Sequence, residues 1–196
     1  MNSVRLGRPP KPEISVALRQ AAERVMLSSG FSKLTIDGLV TEIGTTRPAF
    51  YRRYRTLAHL VFDVIRNRFG TEDAVNTGSL ASDLLQLQRN EVTMFADPLL
   101  RNNLPGLLES LRTDPELEAL YLDRFIAPRR AHVASVIAAA AERGEIPKEA
   151  SDLGFICDVL LGPILARAIV PVLGDLDDEL ARQTVVVAMR ALTAAI

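Results

Sequence analysis

Three arginines and two tyrosines lie close together in residues 44–54, GTTRPAFYRRY, and no acidic residue stands among them. Guanidinium and hydroxyl groups donate hydrogen bonds to phosphate oxygens, and one arginine can donate two to the O6 and N7 acceptors of a guanine. The chemistry that this stretch could do is therefore the binding of a polyanion.

The charge of the chain is divided unevenly along its length. Residues 1–70 hold 12 Lys and Arg against 5 Asp and Glu, a net charge of +7, whereas the rest carries −8 and the 196-residue chain carries −1. A basic first third beside an acidic remainder indicates that one part meets a polyanion and the other does not. Chance clustering of solvated charge is the alternative.

Helical periodicity surrounds the basic stretch on both sides. From Ile14 onward, apolar residues recur at the i, i+3, i+4, i+7 spacing of one helix face. Thr35 and Thr46 stand where N-caps are expected, and Pro48 falls in the first turn of the helix that Thr46 would cap. The predicted helices run from Ile14 to just before Gly30, over Ile36–Gly44, from Arg47 to about Tyr54, and over Leu57–Phe69.

Two short helices that meet at a tight glycine turn, the second of them basic, predict a helix-turn-helix. The start of the second helix would enter the major groove of DNA, so its first residues would lie nearest the base edges, and later ones would reach phosphates. The candidates for base edges are Thr45, Thr46, Arg47, Pro48 and Ala49. The candidates for phosphates are Tyr51, Arg52, Arg53 and Arg55.

Phe50 and Tyr54 lie four residues apart on the other side of this helix. That spacing places both side chains on one face, where they would anchor the helix to Leu39 and Ile43. An ordinary helical hairpin with a solvated basic face is the alternative.

Residues 13–69 resemble the DNA-binding domain of the TetR family of one-component transcriptional regulators. The matches, in order along the chain, are Ala21-Ala22, Gly30-Phe31, Thr35, Ile43-Gly44, TTRPAFYRRY and AHLV. The resemblance implies that Tyr51 touches the phosphate backbone, and Thr35, which opens the second helix, joins the candidate DNA-binding residues.

The chain departs from the family pattern at the start of the fourth helix. Leu57 stands where the family usually has a lysine that contacts a phosphate. Either His59, Arg55 or Arg53 takes over that contact, or the protein binds DNA with one contact fewer.

We expect three parts: a flexible basic arm over residues 1–12, the helix-turn-helix domain over 13–70, and a helical regulatory and dimerisation domain over 76–196. The arm carries Arg8 and Lys11 between prolines, and it either follows the DNA minor groove or backbone or is a solvated tail. Residues 76–80, NTGSL, would be the hinge.

The C-terminal part is also predicted to be helical, and no run shows the alternation of a half-buried strand, so the fold class is all-α. Pro105 and Pro163 should kink or divide their helices. The predicted helices are Leu80–Ala96, Leu99–Leu111, Pro115–Arg143, Ser151–Val172 and Asp177–Ala195.

An apolar run over residues 155–173 contains two charges and two prolines, which argue against a membrane span. Such a helix is buried on more than one face, and the resemblance implies a homodimer here, so a palindromic operator is expected. A purely intramolecular core is the alternative. The candidate interface residues are Ile156, Leu160, Ile164, Leu180, Thr184, Val187, Ala188, Ala191 and Leu192.

The resemblance also implies a small-molecule pocket in the C-terminal part, with a ligand that is apolar or amphipathic. The candidate wall residues are Leu104, Leu107, Leu108, Leu111, Tyr121, Phe125 and Phe155. Residues of each of these types are more often plain core than pocket lining. Cys157 lies beside Asp158 in an apolar run and is interpreted as a small buried hydrophobe.

Other function classes find little support in the sequence. There is no phosphate-binding loop, no metal-ligand pair at helical spacing and no nucleophile beside a histidine, so we expect no enzyme, no metal and no cofactor. The N-terminus lacks the apolar segment of a secretory signal, which predicts a cytoplasmic location. The remaining choice lies between a ligand-responsive regulator of transcription, a repressor by the family's usual sign, and an adaptor whose basic face binds an acidic protein.

Overall fold

The computed structural model describes residues 12–70, 75–147 and 152–193, and within these ranges the chain is helical without strands. The all-α prediction is confirmed. Residues 1–11 of the predicted arm, with Arg8 and Lys11, and the last predicted residues up to Ala195 lie outside the described residues, whereas Pro12, the last residue of the predicted arm, begins the first helix. The helices are α1 (Pro12–Ser28), α2 (Ile36–Glu42), α3 (Arg47–Tyr51), α4 (Leu57–Phe69), α5 (Leu80–Ala96), α6 (Pro98–Leu111), α7 (Pro115–Tyr121), α8 (Ala127–Glu142), α9 (Leu153–Ile169) and α10 (Asp178–Thr193).

Threonine caps set the beginnings of α2, α3 and α4. Thr35 Oγ1 accepts from the Gly38 amide at 3.1 Å, and Thr46 and Thr56 accept from amides three residues on. Each such cap contributes about 1 kcal/mol to helix stability. Between α2 and α3 the chain turns at Gly44, whose φ of 65° is a conformation that favours glycine. The turn begins at Ile43, and beyond α3 the Arg53 amide donates to Phe50 O, three residues back, which closes a second tight turn. For this reason α2 and α3 are shorter than predicted.

The helix predicted over Pro115–Arg143 is wrong in one respect. A π turn over Leu122–Ile126 separates α7 from α8, and the Ala127 amide donates to Leu122 O, five residues back. Pro128 has no amide to donate to the carbonyl of Arg124, and its ring would clash with that carbonyl in a regular α-helix. A wider turn ahead of the proline avoids that clash.

The prolines inside α6 and α9 do not divide these helices. Pro105 and Pro163 are both exposed, and each helix continues on either side of its proline. Each proline removes a single amide, and on the exposed side of a helix the orphaned carbonyl can be hydrated. Of the two predicted effects, a kink or a division, division is wrong at both positions.

One hydrophobic core joins the N-terminal unit, residues 12–70, to the C-terminal unit, residues 75–193. Leu18 and Met26 of α1 and Ile65 of α4 are buried in the same cluster as Leu100 and Leu104 of α6. A second cluster lies among α5, α8, α9 and α10. Because the two units share the first cluster, a displacement of α6 or α7 must be accommodated by α1 and α4.

Asn103 of α6 ties the end of α1 to this core. Its fully buried side chain donates from Nδ2 to Met26 O at 3.1 Å and to Leu99 O at 2.7 Å. The amide of Gly30 bonds instead to Val25 O as the chain leaves α1. Asn103 therefore donates to a carbonyl that has no amide partner at the end of the helix.

We expect Asn103→Ala to lower the free energy of unfolding by about 1–3 kcal/mol, because it leaves the Met26 carbonyl buried without this donor. Urea denaturation followed by circular dichroism measures the change. The neighbouring Asn102 is exposed, and Asn102→Ala should stay within about 0.5 kcal/mol of the parent. Equal losses in the two variants would contradict the role of Asn103.

Candidate DNA interface and effector cavity

The exposed side chains at and after the start of α3 form a basic surface. Arg47 and Tyr51 expose more than half of their side chains, and Thr46, Pro48 and Arg52 are exposed as well. We call these five residues the recognition surface. Of the other predicted residues, Thr35 is exposed at the start of α2 and Thr45 is half-buried in the turn.

The inner side of α3 is fixed by Phe50, which is completely buried. Its ring makes an edge contact with Tyr51 at 5.5 Å and a tilted contact with Tyr54 at 5.8 Å between centroids. The prediction that Phe50 and Tyr54 are core residues is confirmed. Ala49 is also buried, because α3 has only five residues and its inner side falls at 49 and 50. The prediction that Ala49 lies at the base edges is wrong in this arrangement.

Asp63 of α4 holds the chain just after α3 in place. Tyr54 Oη donates to Asp63 Oδ2 at 2.8 Å, Arg19 Nη1 of α1 donates to the same oxygen at 3.1 Å, and Arg66 Nη2 donates to Oδ1 at 2.9 Å. Burial, and then the hydrogen bond to Asp63, raise the pKa of Tyr54 to about 12. Tyr54 therefore stays a neutral donor at neutral pH, and one carboxylate links α1, α4 and the end of α3.

Arg47 is held only weakly within the chain. Its Nε lies 3.2 Å from Asp37 Oδ1 of α2, and both side chains are largely exposed. An exposed pair of this kind contributes about 0–1 kcal/mol and is screened by salt. Arg47 can therefore exchange Asp37 for another acceptor at little cost.

The arginines after α3 do not all face the same way. Arg53 Nη1 donates to Ala49 O at 2.8 Å. Arg55 pairs with Glu116 and lies 3.8 Å from Asp114, both at the start of α7. Arg55 is thus directed toward the C-terminal unit rather than continuing the recognition surface.

His59 does not replace the lysine that the family usually has. It is only 9% exposed, and its Nδ1 lies 2.9 Å from Thr56 Oγ1 and 3.8 Å from Asp114 Oδ2. The first turn of α4 is turned inward at this position, so the prediction that His59 contacts a phosphate is wrong in this arrangement. Leu57 is half-buried and packs against the core that both units share.

Arg129 of α8 connects the C-terminal unit to the end of α4. Its Nη2 donates to Phe69 O at 2.7 Å and its Nη1 to Phe125 O at 2.8 Å, in the π turn. The guanidinium carbon lies 3.7 Å from the centre of the Phe125 ring, and Nε lies 3.2 Å from Glu91 Oε1. This largely buried arginine was not singled out from the sequence, where an arginine after a proline is typical of a helix surface.

A cavity of about 60 Å³ lies between α5, α8 and α9, and Arg129 and Glu91 form part of its wall. Most of the surface is apolar, from Leu87, Ile126, Val133, Cys157, Leu160 and Leu161, with Gln88, Arg130, His132 and Asp158 beside them. Burial raises the pKa of the Cys157 thiol, in keeping with the predicted small buried hydrophobe.

None of the seven residues predicted as pocket walls lines this cavity. Tyr121 and Phe125 stack on each other at 5.3 Å and fill the space between α4 and α7 together with Phe62. Leu104 and Leu107 are buried core, Leu108 and Leu111 are half-buried against it, and Phe155 is 58% exposed.

The predicted dimer interface lies on the wrong side of α9 and α10. Most of its residues are buried within the chain, because α10 packs that side against α5 and α9. The buried ones are Ile156, Leu160, Ile164, Leu180, Thr184, Ala188 and Leu192. Ala191 is half-buried, and Val187 alone of the set is exposed.

The sequence also matches two models of one protein family. Residues 18–64 match the model of bacterial regulatory proteins of the tetR family, and residues 74–188 match the tetracyclin repressor-like C-terminal domain. The chain belongs to the TetR family. It is a DNA-binding transcriptional regulator and not an enzyme. This membership favours DNA over the acidic protein partner of the adaptor alternative.

Similar proteins agree with this assignment. The uncharacterized HTH-type transcriptional regulator YdeS of Bacillus subtilis is 24% identical over 190 residues, which cover 96% of this chain and 94% of that protein. The uncharacterized regulator Mb1581 of Mycobacterium bovis is 28% identical over 153 residues, or 76% and 72% of the two chains.

Solved structures of TetR regulators share the fold. The regulator SCO0332 has a TM-score of 0.67 at 23% identity and covers 93% of this chain and 100% of its own. FadR from Bacillus subtilis, solved in complex with stearoyl-CoA, has a TM-score of 0.67 at 14% identity, with 90% and 98% covered. Among the described residues of our chain, no helix has the length and apolar character needed to cross a membrane.

Proposed function

We propose that this TetR regulator is a homodimeric repressor that binds a palindromic operator and is released by a small apolar or amphipathic molecule. The observation that carries the DNA contact is the recognition surface. Its exposed cationic and hydroxyl side chains stand on a helix whose inner side is completely buried. A rigidly held, basic helix start is what major-groove reading requires.

The recognition surface divides into two kinds of contact. Arg47 and Thr46 stand at the start of α3, where a helix that enters the major groove meets base edges. Tyr51 and Arg52 follow and would donate to phosphates, which positions the helix without reading sequence. Thr35, at the start of α2, would add a backbone contact from its exposed side chain.

An exposed apolar face on α9 and α10 supports the dimer. Phe155, Ile169, Val186 and Val187 are each exposed by more than a third, and the small residues Gly162 and Ala166 lie between the first two on α9. No side chain lies within 4 Å of where a Cβ on Gly162 would be, so a second helix can approach closely there. Two copies joined through these faces would form a four-helix interface and present two α3 helices to half-sites about 34 Å apart.

Release would begin at the cavity between α5, α8 and α9. Arg129 lines it and also donates to Phe69 O at the end of α4, the helix that follows the recognition surface. A ligand that draws Arg129 or Glu91 into new contacts would therefore loosen α4 from the C-terminal unit. The cavity must widen to admit a whole ligand, and α8 is the wall suited to move, because apart from the largely buried Arg129 only Val136 and Ala140 of that helix are buried. The stearoyl-CoA bound by FadR is an amphipathic molecule of the class proposed here.

Selection of bound duplexes from a random pool at near-physiological salt tests the DNA contact. We expect the wild type to recover a palindrome with half-sites about one helical turn apart. Arg47→Ala should relax the choice of base at one position of each half-site, a loss of about 1–3 kcal/mol in discrimination.

Arg112→Ala serves as the matched control, because it removes the same charge from an exposed residue at the end of α6. It should recover the wild-type motif. Recovery of nothing above background by the wild type would reject the operator proposal, and an equal relaxation by Arg112→Ala would reject the role given to Arg47.

The dimer face is tested by the mass of the particle in solution. Val187→Glu should weaken dimerisation more than about tenfold, because it would bury an unpaired charge in the proposed interface. Sedimentation velocity should then show two chains for the wild type and one for the variant. Val16→Glu, an equivalent change at an exposed valine of α1, should leave two chains. A wild type that sediments as a single chain would contradict the dimer.

A further inference from the structure

A second, larger opening lies between the two units. This solvent-open cleft of about 580 Å³ is walled by α1, by the residues just after α3, by α4, and by Leu120 and Arg124 of the C-terminal unit. It is separate from the cavity behind Arg129, with which it shares no residue.

The cleft is strongly basic. Among the described residues that line it, Asp63 is the one acid, and it is already shared between Arg19 and Arg66. A concave wall with an excess of one sign of charge focuses the electrostatic potential and concentrates ions of the opposite sign. The cationic wall residues are Arg19, Arg52, Arg53, Arg66 and Arg124.

The wall of the cleft also contains a buried histidine nitrogen. His59 lines the cleft with nine-tenths of its surface buried, and its Nε2 has no hydrogen-bond partner among the described residues. Thr56 Oγ1, which accepts the His59 amide, can donate its own proton to Nδ1 at 2.9 Å. In that tautomer Nε2 carries the ring proton and is a buried donor without a partner in the wall of the cleft.

We infer that this cleft binds a small phosphate-bearing polyanion and that its occupation weakens DNA binding. Planar guanidinium forks match the oxygens of a phosphate, and a second phosphate would use the arginines of the opposite wall. The cleft is larger than a single phosphate needs, so a molecule with two linked phosphates fits the charge and the size better than one phosphate alone.

The effect on DNA follows from Arg52 and Arg53, which line the cleft and also stand among the candidate phosphate contacts. An anion that neutralises them removes positive charge from the DNA-binding unit. Affinity for any duplex then falls, as does the dependence of that affinity on salt. This second half of the inference rests on the proposed DNA contacts, whereas the anion site itself does not.

Titration calorimetry with inorganic pyrophosphate, at constant ionic strength, tests the site. We expect one saturable site per chain, weakened about tenfold or more by Arg124→Gln, since one charge-assisted contact is lost. Arg124 is exposed and pairs with its neighbour Asp123, so the variant should melt like the wild type. Arg112→Gln, which lies outside the cleft, should bind as the wild type does. Absence of saturable binding, or equal weakening by both variants, would overturn the site.

Fluorescence anisotropy with a labelled duplex tests the consequence. Saturating pyrophosphate should weaken duplex binding by the wild type about tenfold, and Arg124→Gln should bind the duplex normally but lose this response. If Arg124→Gln binds the duplex much more weakly and pyrophosphate does not bind, the cleft serves the DNA backbone and the inference is wrong. If the wild type binds no duplex, the proposed function fails, while the calorimetry still decides the anion site.

Discussion

The orientation of the recognition surface depends on the packing of the buried Phe50 side chain. A helix of five residues is far too short to be stable alone in water, so α3 keeps its shape only because Ala49 and Phe50 are packed inside the N-terminal unit. Tyr54 then fastens the next turn to Asp63 of α4. Because the inner side is fixed in this way, the side chains of Arg47 and Tyr51 face outward.

The same contacts connect α3 to the rest of the molecule. Asp63 also holds α1 through Arg19, and the far end of α4 is held by Arg129 from the C-terminal unit. Between these two points α4 is buried in the core that both units share. A shift of α4 therefore cannot occur without moving α3, and the release that we propose would use this route from the cavity to DNA. The anion site that we propose in the basic cleft would act on the same surface through charge instead of through displacement.

Much of this could be predicted from the sequence, because it rests on local rules. The bounds of α4 and α5 follow from apolar spacing and were predicted correctly, and the spacing of Phe50 and Tyr54 was enough to place them in the core. An apolar stripe shows that a helix face is buried but not what buries it. The stripe on α10 was therefore assigned to a second chain, although α5 and α9 of the same chain cover it. The cavity and the inward turn of His59 depend on tertiary contacts, and neither leaves a local pattern in the sequence.

The salt dependence of duplex binding tests the account of the recognition surface most directly. The slope of log affinity against log salt counts neutralised phosphates, so Arg52→Ala should reduce its magnitude by about one unit. Arg55→Ala should leave the slope unchanged, because that side chain pairs with Glu116 and Asp114 of the C-terminal unit. A slope reduced equally by both variants, or by Arg55→Ala alone, would contradict the orientation of the interface described here.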